Sequence, residues 1–86
     1  MRIKIKEYIR FFRIFIGAMR KLNRPRNAKR SHWSESSQAR TYHRLVEETD
    51  ELLDALINKN KIDQVDECYD VINFALFMAD NLQEKE

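Results

Sequence analysis

Two pairs of acids carry the chemistry this chain offers: Glu48 with Glu51, and Glu67 with Asp70. On a helix, residues i and i+3 share a face, so each pair aims two carboxylates at one point. If the two helices pack antiparallel, four carboxylates converge. Hard oxygen ligands in that number suit a divalent cation, Mg²⁺ or Mn²⁺. Glu48 has Leu45 and Leu52 on neighbouring turns, and Asp70 adjoins Val71, Ile72 and Phe74, so both border apolar stripes. Acids grouped there repel one another unless they bind protons or a cation. Neutralising any one of them is therefore expected to leave the cation-free protein as stable as before, or more so. Taken singly, either pair reads as a solvated acidic face. Taken together across one short turn, they read as a shared metal site.

The elements that position these acids form a helical hairpin over residues 34–82. Its first helix is expected over Ser34 to Asn58, with Ser34 or Ser36 as N-cap. Tyr42, Leu45, Leu52 and Leu56 make one apolar stripe, with Val46, Leu53 and Ile57 beside it. Its second helix is expected over Lys61 to Leu82, with a seam of Val65, Cys68, Ile72, Ala75, Ala79 and Leu82 at alternating spacings of three and four. The short polar link Asn58-Lys59-Asn60-Lys61 makes antiparallel neighbours. The 48/51 and 67/70 pairs then lie at similar distances from the turn. Arg44 and Arg40 stand one and two turns before Glu48, placed for phosphate or, as Arg44 with Glu48, for ordinary i, i+4 pairing. Asn73 is the odd polar residue of an apolar run: a ligand to a nucleotide or a metal-bound water, or a satisfied core amide. No second His or Cys is spaced to make a zinc site with His32 or His43.

Ahead of the hairpin lies a basic segment. Residues 1–30 hold eleven Lys and Arg against one acid, Glu7, whereas residues 31–86 hold five against thirteen acids. An acidic half wants a cation; a basic segment wants phosphate or an acidic surface. A basic helix is expected over residues 3–22, with apolar residues recurring at three and four. Arg13 interrupts its apolar run, which is too short to span a bilayer. No cleavage site of the signal-peptide kind follows it. A subunit interface is the expected role of such a helix, with a membrane-surface contact as the alternative. Pro25 ends it, and a basic loop over residues 23–33 follows. Trp33, the only tryptophan, suits stacking on a base or capping the bundle.

The 86 residues make one small domain, and one Gly and one Pro argue for helices over a β-rich fold. So short a chain buries a limited core, and its surplus apolar surface calls for a homodimer or homotetramer. A single Cys68 fits a reducing, cytoplasmic setting and reads as a core residue.

The pattern Glu47-Glu48-x-x-Glu51, fifteen residues that begin with Leu52 (52 to 66), then Glu67-x-x-Asp70-Val71 resembles the motif of the MazG-like all-α nucleoside triphosphate pyrophosphohydrolases. Asn27-x-Lys29-x-x-x-Trp33 is similar to a basic, aromatic segment upstream of that motif in small members. The resemblance implies hydrolysis of a nucleoside triphosphate, with a deoxynucleotide as the expected substrate, to the monophosphate and pyrophosphate. It implies Mg²⁺ (or Mn²⁺) held by Glu48, Glu51, Glu67 and Asp70, with Glu47 orienting or deprotonating the water. Lys29, Arg30, Trp33, Arg40, Arg44 and Asn73 are the implied nucleotide contacts. Neither a transmembrane segment nor a nucleic-acid partner is expected of this reading. The alternative is a non-catalytic helical adaptor that binds nucleic acid or an anionic membrane through its basic N-terminus.

Overall fold

Three helices build an all-α fold: α1 (Ile5–Leu22), α2 (Gln38–Asn58) and α3 (Lys61–Leu82). They come from a computed structural model that describes residues 1–27 and 32–83. Helices α2 and α3 pack along their lengths as a hairpin, and α1 packs on α3. No helix among the described residues is long and apolar enough to cross a membrane.

The hairpin turn is fixed by side chains that satisfy helix ends. The Asn60 side chain accepts a hydrogen bond from the Asp63 N–H at 2.9 Å, capping α3. The Gln64 amide donates to the Lys59 carbonyl at 3.0 Å and to the Ala55 carbonyl at 3.3 Å. At its other end α2 starts at Gln38, four residues later than the sequence suggests. Residues Trp33–Glu35 form a 3-10 turn instead, and Ser37 is the cap, accepting from the Arg40 N–H at 3.1 Å. The turn is tied to α3: Trp33 Nε1 donates to Asp80 Oδ2 at 2.9 Å, and the Asn81 amide donates to the Trp33 carbonyl at 3.1 Å. Ser34 and Ser36 belong to this turn and its end, so neither caps α2.

The inner faces are unusually polar. Ala18 and Ala55 are the buried hydrophobic residues among those described, alongside Lys21, Thr41, Glu48 and Asn73. Thr41, Glu48 and Ala55 recur every seven residues on α2, the side turned inward. Of the expected α2 stripe, Leu45 and Leu52 are half-buried while Tyr42 and Leu56 are exposed. On α3, Cys68 and Ile72 are half-buried, but Val65, Ala75, Ala79 and Leu82 are exposed.

The docking of α1 explains this rotation. Gly17 lies against Tyr69 of α3; a Cβ there would come within 2.6 Å of the Tyr69 Cζ, so the glycine permits the close crossing. The Asn73 amide donates to the Ala18 carbonyl at 3.0 Å. One turn on, the Lys21 ammonium, 4% exposed, reaches Asp66 and Asp70. A buried ammonium must be paired, so α3 turns its acids toward α1.

Candidate metal centre

Glu48 from α2 and Glu67 and Asp70 from α3 meet where the hairpin helices face each other. One carboxylate oxygen from each lies within 4.8 Å of the others. They line a cleft of about 350 Å³ together with Lys21, Asn27, Arg44, Glu51, Asp66 and Phe74. Of the four acids the sequence expects to converge, three meet: Glu48, Glu67 and Asp70. Glu51 stands on the exposed edge, lining this cleft and a neighbouring acidic one with Asp50, Asp54, Lys59 and Glu67.

Two oxygens at the centre have no hydrogen-bond partner although they are buried: Glu48 Oε2 and Glu67 Oε2. Buried carboxylate oxygens without donors are costly. Burial, then a proton shared with the Glu51 carboxylate, then the Asp70 charge push Glu48 up to about 7; with both glutamates ionised, Glu48 Oε2 has no donor. Burial, then Asp70 and Glu51, also raise Glu67 above its ordinary range. A cation at the open oxygens would favour the ionised forms and offset this repulsion. Orphaned oxygens on hard ligands at this separation fit Mg²⁺ or Mn²⁺.

Lys21 was not legible as a site residue, and neither was Asp66. Lys21 Nζ donates to Asp70 Oδ2 at 2.7 Å, to Asp66 Oδ2 at 2.8 Å and to the Asp66 carbonyl at 2.9 Å. Arg24 adds a bond to Asp66 Oδ1 at 3.2 Å. Burial alone would lower the Lys21 ammonium, but the two aspartates outweigh it and hold its pKa above the ordinary value. Burial likewise opposes ionised Asp66, and Lys21 with Arg24 outweighs it, holding that carboxyl below the usual range. The available signals were Gly17 and Ala18 one turn before Lys21, marking a close crossing, and Asp66 one turn before Asp70.

The other implied contacts divide. Arg44 lines the cleft, donates to Glu47 Oε2 at 2.6 Å and to Glu48 Oε1 at 3.4 Å, and lies over the Phe74 ring. Glu47 sits outside the carboxylate trio, held by Arg44 and by His43 Nε2 at 2.9 Å. Arg40 is exposed and does not line the cleft. Asn73 is buried; its amide nitrogen serves Ala18, and its Oδ1 has no partner. Trp33 stacks on Phe77 at 4.9 Å and on His32 at 3.8 Å between ring centroids. Phe77 meets Phe74 edge-on, which links the indole to the cleft wall. Lys29 and Arg30 lie outside the described residues.

The family model described as phosphoribosyl-ATP pyrophosphohydrolase matches residues 13–83, which contain the whole acid cluster and Lys21. The chain belongs to that family. The MazG-like resemblance therefore holds at the level of all-α pyrophosphohydrolases, and the matching family is not MazG itself. No curated protein and no solved structure matches the chain.

Proposed function

We propose that this family member hydrolyses the anhydride between the α- and β-phosphates of a nucleoside triphosphate, releasing the monophosphate and pyrophosphate. The observation that carries the reading is the pair of buried, partnerless oxygens on Glu48 and Glu67, facing Asp70 in one cleft. Glu48, Glu67 and Asp70 hold the cation, with Glu51 joining from the exposed edge. A bound Mg²⁺ supplies charge for the phosphate oxygens and polarises the attacking water. Glu47 orients that water or takes its proton. Arg44, already at the cleft, offsets remaining phosphate charge, aided by Arg40 and by Lys29 and Arg30. Asn73, whose Oδ1 has no partner, bonds the nucleotide or a metal-bound water, and a base stacking on Trp33 takes the place of His32.

The substrate is a deoxynucleoside or ribonucleoside triphosphate. The family's description names phosphoribosyl-ATP, which carries the same triphosphate, so it belongs in the same test. Pyrophosphate release from a panel of these compounds with Mg²⁺ should identify one substrate whose turnover is lost in Glu67→Gln. Release no greater than in Glu67→Gln for every compound would reject the reading.

The working form in this proposal is a homodimer or homotetramer. Exposed Tyr42, Val46, Thr49, Leu53 and Leu56 follow spacings of four and three along α2, on the side away from Glu48. Such a seam matches its own copy by knobs-into-holes packing. Pairing there leaves the cleft open to substrate.

A further inference from the structure

We propose that the outward face of α1 docks on an anionic lipid surface, with the helix lying flat in the headgroup layer. The proposal goes beyond nucleotide hydrolysis and stands or falls independently of it.

The orientation of α1 is the first ground. An amphipathic helix ordinarily turns its apolar side to the body of the protein. Here the ties to α3 run through Gly17, the Ala18 carbonyl and Lys21. They fix the polar side inward. Ile5, Tyr8, Ile9, Phe12 and Phe15 recur at three and four on the other side, and they are 78%, 61%, 52%, 64% and 41% exposed. With half-buried Ile16 and Met19 the apolar arc covers about a third of the circumference. That is the width of an ordinary amphipathic stripe, left here without a partner among the described residues.

Charge selects the occupant. Arg2, Lys4, Lys6, Arg10, Arg13 and Arg20 line the same helix and its start, and none makes an ion pair among the described residues. Pairing α1 with α1 of a second copy would bring two such sets of cations together. The α2 seam offers copies of this chain another place to meet. An anionic bilayer surface satisfies both demands at once, taking Ile and Phe side chains at the acyl boundary and cations among the headgroups. The absence of a spanning helix among the described residues is consistent with a helix that lies on the surface.

The test is flotation of the full chain with vesicles of phosphatidylcholine alone or mixed with phosphatidylglycerol. The wild type should float with the mixed vesicles, not with the neutral ones, and salt should weaken the binding. Phe12→Asp and the double variant Arg10→Glu/Arg13→Glu should each lower the bound fraction about tenfold or more. Ile9→Asp repeats the first arm at a second exposed position, and circular dichroism checks that each variant keeps its helices. Wild type that does not float overturns the proposal. So does full binding by a folded Phe12→Asp, which would mean attraction of cations to any polyanion, nucleic acid included. A smaller oligomer in Phe12→Asp by light scattering also overturns it, because a second copy would then own this face.

Discussion

Lys21 Nζ stands 2.7 Å from Asp70 Oδ2, so one helix donates a buried cation to the acid cluster of the other two. Charge alone says that any acid removed from such a cluster relieves repulsion. Lys21 divides the cluster into two kinds of acid. Asp66 and Asp70 are neutralised from within the chain, whereas Glu48 and Glu67 each keep an open oxygen.

The two kinds should respond oppositely to neutralisation. Asp70→Asn removes half of the Lys21 pairing and should cost about 1–2 kcal/mol, lowering Tm by roughly 5–10 °C. Glu48→Gln should hold or raise Tm in EDTA at pH 8. Calorimetric melts decide it, and equal stabilisation by both variants would return the cluster to simple repulsion.

Stability of the cation-free protein should fall as pH rises through the range 4.5 to about 7. Glu48 has an ordinary value of 4.5 and sits at about 7 in the folded chain, so the folded state binds the extra proton. That contribution is fully present below 4.5 and lost above 7, amounting to at most about 3 kcal/mol. Glu67 shifts in the same direction. Melts from pH 4.5 to 8 should show the decline in wild type and flatten in Glu48→Gln. An identical profile in both proteins would remove Glu48 as its source.

Light scattering at micromolar concentration should give a mass of two or four chains. Leu53, 58% exposed in the α2 seam, is the residue to test. Leu53→Asp should shift the mass toward the single chain. An unchanged mass would place the contact elsewhere.

Nucleotide binding should change Trp33 fluorescence, because a base that displaces His32 alters the stack on the indole. Trp33→Ala should raise KM more than it lowers kcat, the mark of binding lost equally in ground and transition states. An unchanged KM would leave Trp33 as the packing residue that holds the 3-10 turn to α3.

The helical hairpin and its acids were legible because they rest on local rules. The i, i+3 spacing fixes which acids share a face, and the short turn sets the two pairs level. The docking of α1 was not legible, since its apolar periodicity predicts burial of the opposite side. Only the crossing at Gly17 and Tyr69 places Lys21 on Asp66 and Asp70, and that is a tertiary contact between residues more than forty positions apart. The start of α2 was misplaced for a similar reason. Trp33 reaches Asp80 and Phe77 far along the chain, and this holds residues 33–35 in a turn that local capping rules cannot foresee.

Mn²⁺ titration followed by electron paramagnetic resonance, on wild type and on Glu67→Gln, tests the site itself without assuming any substrate. Glu67 pairs with Lys59 at 3.9 Å, makes no ion pair with Lys21 among the described residues and offers an open oxygen, so its loss should remove a ligand without unseating α1. Wild type should bind Mn²⁺, Mg²⁺ should compete, and Glu67→Gln should weaken the binding by about tenfold or more. Wild type that leaves the free Mn²⁺ signal undiminished, or a folded Glu67→Gln that binds as tightly, would contradict a metal centre at Glu48, Glu67 and Asp70.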